Sequence, residues 1–445
     1  MSDYRRVADT VAEEIRSGRL RAGDRLPPQR EFARRHAIAN STATRVYQEL
    51  ARRGLTVGEV GRGTFVRAAD RPAASPLTEP SGTRVDLELN YPEAPGQSAL
   101  LAAGLGELLR PGALESALRP VGAAGTPAAR DTAADLLARG GWRPDPARVL
   151  LAGNGRQTIA AVIGALVPPG ARLGVEELTY PVVKAIAARL GVVLVPLALD
   201  EAGVVPEAVE EAHRAGPLHA VYLQPTLQNP LSLTMPEERT RRLADVLTRL
   251  GIYAIEDSIW AFLRDDLPPL AALAPERTVL VDSLSKRVSP GLTLGFAVAP
   301  AAVVGGVAAA LRSGGCTPMR FALEAAARWQ RDGTVRALVR AKQREAAVRQ
   351  SMAGELLGEF TTRSDPRSYY RWWELPRPWR ADTFVAAAAR HGVAVTPAAA
   401  FAVGRHRAPN AIRIGLASPP AEVLSQALTT LAELARSAPD DLVTD

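Results

Sequence analysis

Lysine is nearly missing from a strongly basic chain. Of 54 basic residues in 445, only Lys184, Lys286 and Lys342 are lysines. The rest are arginine, so a lysine inside a motif stands out, because arginine cannot form a Schiff base. Cysteine is reduced to Cys316, which excludes a disulfide framework within the chain and points to a cytoplasmic home. No apolar run is long enough to span a bilayer, and MSDYRR opens a charged amphipathic pattern, not a signal peptide. What remains is ordinary globular composition at a length that suits two or three domains, with no metal expected. The net charge is +7, and the first seventy residues hold a surplus of five positive charges. That concentration suits phosphate contacts, although a solvated surface would look the same.

In those seventy residues, Val7, Val11 and Ile15 fall at helical spacing within a predicted helix over 4–20, and residues 21–24 carry turn chemistry. Pro28 suits the first turn of a second helix over 29–36. A third helix runs from about residue 41 to 53, with Ala43, Val46, Tyr47 and Leu50 as its buried stripe. Asn40 or Ser41 would cap it, and Gly54 would end it. LTV and GRGTFV then read as a β-hairpin. Three short helices and a hairpin predict an α+β winged helix-turn-helix, whose third helix enters the major groove with its N-terminal polar residues at base edges. The strings IRSGRLRAGDRLPPQREFA, STATRVYQEL and VGRGTFV resemble the DNA-binding domain of the GntR superfamily over residues 4–67. The resemblance implies that Arg30 contacts phosphate or base, that Asn40, Ser41, Thr42 and Thr44 face the groove, and that Gly61 and Arg62 form the wing tip. Ala39 and Asn40 depart from the family's usual Ser or Thr followed by Arg; asparagine prefers adenine where arginine prefers guanine.

Residues 68–85 are rich in Pro, Ala, Ser and Thr without periodicity, which reads as a linker. From 86 to about 435, helical runs alternate with short apolar runs: VLLAG, RLGVEE, VVLVPL, AVYLQP, YAIED, TVLVDS and GFAVAP. That alternation predicts an α/β domain with a mostly parallel sheet and function at the strand ends. Residues 436–445 read as a frayed tail.

The polar residues at those ends resemble, in order, fold-type I pyridoxal-phosphate enzymes of the aminotransferase family. The resemblance implies that Lys286 captures the cofactor, that Asp257 keeps its ring nitrogen protonated, and that Tyr180 stacks on the ring. Asn229 donates to the ring's phenolic oxygen, with Trp260 as a second donor. Gly155, Arg156, Gln157, Ser283 and Ser285 hold the phosphate through main-chain N–H groups and hydroxyls. Arg413 grips the carboxylate of an amino-acid ligand. A GntR-type domain followed by an aminotransferase-like domain is the arrangement of the MocR-type regulators. That resemblance implies a homodimer on a double-stranded DNA operator, responding to pyridoxal phosphate or an amino compound. Four positions depart from the family pattern: Thr293 replaces a phosphate-binding Arg, Trp260 a Tyr, Val121 stands where a Tyr is usual, and Leu231-Ser232 replace Thr-Gly. Arg156 or Arg287 would supply the charge lost at Thr293, and Arg156 is better sited because it opens the phosphate-facing helix. Three readings stay open: a ligand-gated regulator, a working aminotransferase with a winged helix attached, and a regulator whose large domain has lost the cofactor.

Overall fold

Apolar residues at helical spacing assemble the N-terminal part of the molecule. The computed structural model describes residues 3–16, 19–20, 23–52, 55–59, 63–66, 85–404 and 408–437. The chain divides into two units, Met1–Thr78 and Glu79–Asp445. In the first, helices α1 (Asp3–Arg16), α2 (Gln29–Arg35) and α3 (Asn40–Arg52) enclose Ala8, Val11, Phe32, Val46, Tyr47 and Leu50. Phe32 meets Tyr47 edge-on with ring centroids 5.1 Å apart. The Tyr47 hydroxyl donates to the Pro27 carbonyl, tying α3 to the turn before α2. A small sheet follows: β1 (Arg25–Leu26), β2 (Thr56–Glu59) and β3 (Gly63–Val66), in the order β1-β3-β2 and antiparallel throughout.

Two expectations change here. Helix α1 is described over Asp3–Arg16, and Arg19 and Leu20 lie outside it, so the helix falls short of residue 20. Asn40 opens α3 and does not cap it, because the Ala43 N–H is bonded to the Ala39 carbonyl at 3.0 Å, so helical bonding begins one residue earlier. Gly54, Gly61 and Arg62 lie outside the described residues.

The second unit starts with β4 (Val85–Asp86), so Val85 is a strand residue and not linker. Its seven apolar runs form one sheet: β5 (Val149–Ala152), β6 (Arg172–Glu176), β7 (Val193–Leu197), β8 (Leu218–Leu223), β9 (Tyr253–Asp257), β10 (Thr278–Ser283) and β11 (Gly295–Val298). The order is β5-β11-β10-β9-β8-β6-β7, parallel except that β11 runs against both neighbours. Strands buried on both faces explain the unbroken apolar runs. Helix α4 (Gly155–Leu166) leaves the end of β5, and the single turn α5 (Leu284–Arg287) leaves β10.

A smaller antiparallel sheet has the order β12 (Thr362–Arg363), β13 (Tyr370–Glu374), β16 (Ala411–Gly415), β15 (Thr396–Pro397). A parallel pair joins β4 to β14 (Val393–Ala394). The 23-residue helix α6 (Thr334–Leu356) bonds to both regions. Buried Lys342 donates to the carbonyls of Lys286, Arg287 and Val288 at 3.1, 3.3 and 2.8 Å. Two turns later Arg349 donates to Leu416 and Pro419 at 2.6 and 2.7 Å, beyond the end of β16. One helix face therefore holds both the Lys286 turn and the strand that carries Arg413. Among the described residues no helix is long and apolar enough to cross a membrane.

Candidate cofactor and ligand site

The C-terminal edge of the large sheet gathers polar residues from several chain segments, where parallel strands leave their ends open. Asp257 ends β9, buried to 3% exposure. Its Oδ2 accepts from the Tyr222 hydroxyl at 2.5 Å and from Gln224 Nε2 at 2.9 Å, and its Oδ1 from the Ile259 N–H at 3.1 Å. Burial pushes its pKa up to about 6, against the downward pull of those donors. Gln224 then passes the connection on, since its Oε1 accepts from the Asn229 N–H at 3.1 Å. Asp257 and Asn229 are thus braced through one amide. Behind them, Glu176 accepts from the Gln224 N–H at 3.2 Å and from Gln228 Nε2 at 3.3 Å, and burial raises it to about 8.

Lys286 reaches over the Tyr91 ring, 4.0 Å from its centroid, with the Trp260 ring at 5.4 Å. Its Nζ donates to the Asn90 carbonyl. Its pKa falls to about 7, first from burial and then from the nearby charges of Arg156, Arg413 and Lys342. An ordinary lysine is almost wholly protonated at pH 7; this one is poised to hold a free electron pair. Tyr180, just ahead of the helix Pro181–Leu190, is raised by burial while Arg156 beside it pulls the other way.

Helix α4 opens with Asn154, whose side chain accepts from the Gln157 N–H at 3.0 Å. That bond corrects one expectation: the Gln157 main-chain N–H is committed to the cap, so only Gly155 and Arg156 offer theirs to an anion. Gly155 lies so close to β10 that an added Cβ would sit 3.1 Å from Ser283 Oγ. Ser283 Oγ and Ser285 Oγ are 2.7 Å apart. Arg156 forms no ion pair among the described residues, whereas Arg287 is turned away, bonded to Asp282 at 2.8 Å and to the Leu136 carbonyl. Arg287 lines a separate cavity of about 150 Å³ with Arg139 and Ser258. Thr293, just after the turn Pro290–Leu292, contributes a hydroxyl 3.5 Å from the Leu294 carbonyl.

Arg413, on β16, donates to Thr396 Oγ1 at 2.9 Å and to the Glu88 carbonyl, and lies over the Phe401 ring at 5.5 Å. No carboxylate pairs with it within 4.0 Å among the described residues, although Glu88 is the strongest negative influence on it. Tyr222, Gln224, Glu176, Asn90, Tyr91 and Lys342 escaped sequence reasoning. Only Lys342 left a signal, as one of three lysines in an arginine-rich chain.

In the N-terminal unit, Arg30, Asn40 and Ser41 are exposed and Thr42 is half-buried. Thr44 is engaged inside the module, donating to Gln29 Oε1 at 2.9 Å and to the Asn40 carbonyl at 3.1 Å. Its hydroxyl links α2 to α3.

Residues 101–431 match the model of aminotransferase class I and II. The chain belongs to that family. Residues 3–66 match the gntR family of bacterial regulatory proteins. The chain thus joins a GntR-type helix-turn-helix to an aminotransferase domain, consistent with the MocR-type arrangement. It is 29% identical over 434 residues, 97% of its length and 94% of the relative's, to the uncharacterized HTH-type transcriptional regulator YdeF of Bacillus subtilis. It is 26% identical over 304 residues to the HTH-type pyridoxine biosynthesis transcriptional regulator PdxR of Corynebacterium glutamicum, covering 66% of this chain and 65% of that one. Among solved structures, the kynurenine aminotransferase of Pyrococcus horikoshii superposes with a TM-score of 0.73 at 21% identity, covering 83% of this chain and 95% of that chain. That likeness establishes the fold.

Proposed function

We propose that the protein is a DNA-binding transcriptional regulator whose aminotransferase domain binds pyridoxal phosphate and, on it, an amino acid that changes operator affinity. One observation carries the reading: a lysine amine held near neutrality converges with a braced carboxylate and an arginine that has no acidic partner, in a chain that begins with a helix-turn-helix. The residues fit the cofactor. Buried polar atoms without a protein partner cluster here, namely Asn229 Oδ1, Gln157 Oε1, Arg413 Nε and Asn90 Nδ2. When bound, pyridoxal phosphate supplies an aldehyde for covalent capture and a ring that accepts electrons. Asp257 would hold the ring nitrogen's proton, with Tyr222 and Gln224 fixing the carboxylate. Asn229 would donate to the ring oxygen, and Tyr180 would cover the ring. Gly155, Arg156, Ser283 and Ser285 would hold the phosphate, and Arg413 the ligand's carboxylate.

The deciding experiment is a mobility shift of the full chain on the DNA upstream of its own gene, with and without pyridoxal phosphate and a panel of amino acids, beside an absorbance spectrum. A visible band that borohydride abolishes, together with a ligand-dependent shift, is expected. Equal DNA affinity under all conditions would sink the regulatory reading. Rapid turnover of amino acids would favour the working aminotransferase instead.

Individual residues give further expected outcomes. If Arg30 touches only phosphate, Arg30→Ala weakens binding to specific and random duplexes alike and flattens the salt dependence, because a phosphate contact carries no sequence information. Ser41→Ala changes base preference by about 1–3 kcal/mol at one operator position if it reads a base edge. Competition binding against operator variants separates the two.

Capture of pyridoxal phosphate depends on the neutral amine of Lys286. Its rate rises roughly tenfold per pH unit below about 7 and levels off above, following that amine. Stopped-flow absorbance from about two pH units below to about two above the lysine's value checks this, and a rate still climbing at the upper limit would mean an unperturbed lysine.

Arg156→Ala lowers cofactor affinity by about ten- to a hundredfold, the worth of a charged hydrogen bond, whereas Thr293→Arg raises it. Equilibrium titration of both variants is the measurement, and an unchanged Arg156→Ala affinity would move the phosphate elsewhere.

A further inference from the structure

One short stretch of the chain itself holds two cations of the site. Lys286 Nζ donates to the main-chain carbonyl of Asn90, and Arg413 Nη2 to that of Glu88. Asp86 shapes the stretch: its Oδ1 accepts from the N–H groups of Glu88 and Leu89 at 2.8 and 3.0 Å. The far side is tied to the end of β16. There the Gly415 N–H donates to the Leu87 carbonyl at 2.7 Å and the Ala417 N–H to Asn90 Oδ1 at 3.0 Å. A Cβ on Gly415 would lie 2.8 and 2.9 Å from the carbonyls of Leu87 and Leu89, so the two backbones approach as closely as glycine permits. The approach is nevertheless incompletely satisfied, since Asn90 Nδ2 and Arg413 Nε are buried without partners.

We propose that residues 86–91 are an internal ligand of this site, a strap that the cofactor displaces from Lys286 and that the carboxylate of an amino acid bound with it displaces from Arg413, and that the second displacement is what the chain passes on to its DNA-binding unit. The proposal rests on the cofactor reading. The strap's neutral carbonyls make weaker bonds to a guanidinium than a carboxylate does, so a carboxylate ligand wins the exchange at Arg413. Cofactor alone reaches only the Lys286 bond, and an amine lacking a carboxylate leaves Glu88 on Arg413. Only a compound that carries a carboxylate therefore releases the strap from Arg413. Val85 lies at the start of this stretch, and residues 67–84 join it in sequence to the helix-turn-helix. A ligand changes an equilibrium only through unequal affinity for its two states, and the competing strap supplies that inequality.

The test is hydrogen exchange on the full chain, free, with pyridoxal phosphate, and with pyridoxal phosphate plus those amino acids of a panel that perturb its visible band; matched amines serve as controls. Amides of residues 88–91 are expected to exchange at least tenfold faster with an amino acid, and to change less with cofactor alone or with an amine. Asp86→Ala, which loosens the strap without touching Lys286 or Arg413, is expected to bind cofactor about three- to tenfold more tightly and to lose most of its ligand-dependent change in DNA affinity. A perturbed band with unchanged exchange at 88–91 overturns the strap alone, as does an Asp86→Ala variant with unaltered cofactor affinity and full DNA response. Should that variant not fold, the exchange data on the unaltered chain decide. Absence of any borohydride-sensitive band, or of any amino acid that perturbs it, overturns both the strap and the reading beneath it.

Discussion

Lys286→Ala abolishes covalent capture of pyridoxal phosphate completely, while the fold and DNA binding survive. Among the described residues no second lysine is free to take over. Lys184 is committed to the carbonyls of Ala400 and Ala402 at 2.9 and 2.8 Å, and Lys342 to three carbonyls at the end of the Lys286 turn. The turn itself is anchored by buried Leu284 and Val288, which the substitution leaves in place. The borohydride-sensitive band should therefore vanish with little change in melting temperature. Lys286→Arg should fail equally, because a guanidinium keeps the charge without the nucleophile. If the switch works through that bond, cofactor no longer alters operator affinity in either variant. The measurement pairs difference spectra with mobility shifts; a variant whose DNA affinity still responds fully to pyridoxal phosphate would mean that the covalent bond is not the switch.

Arg139→Ala is expected to cost about 3–5 kcal/mol of stability at neutral pH, the penalty for stranding a buried charge. Arg139 pairs with Glu256 at 2.8 Å, with both side chains under 10% exposed, and also donates to Thr226 and Leu267. Glu256 directly precedes Asp257, so the pair stiffens the strand end that carries the candidate ring partner. Burial already raises Glu256 above its ordinary 4.5, and Arg139 is the strongest influence holding it down. Without Arg139 the acid rises further, so the folded variant binds a proton that the unfolded chain gives up. Stability then falls as pH rises through that window, and the deficit narrows as pH is lowered towards about 5. Combining Arg139→Met with Glu256→Gln should recover most of the loss. Urea denaturation at two pH values tests both statements, and a deficit that widens on acidification would contradict this account.

The sequence by itself determined the two-part architecture and the strand ends. Apolar runs at the right spacing made seven strands predictable, because a sheet covered on both faces requires them, and the 3.6-residue stripe of Ala43, Val46, Tyr47 and Leu50 did the same for α3. Lys286, Asp257, Asn229, Tyr180 and Arg413 were legible because each follows or lies within such a strand and because their order resembles a known family. Helix ends were less legible: whether Asn40 caps α3 or opens it depends on which carbonyl takes the Ala43 N–H, and local sequence allows either. That the Thr44 hydroxyl bonds to Gln29 could not be read from local sequence. Only the tertiary structure decided the bracing of Asp257 by Tyr222 and Gln224, the anchoring of the Lys286 turn by Lys342, and the grip of residues 88 and 90 on Arg413 and Lys286. These contacts join positions 33 to more than 300 residues apart. Several run through main-chain carbonyls, which every residue type carries alike. A carbonyl leaves no trace in composition or spacing, and its role exists only once the chain has folded around it.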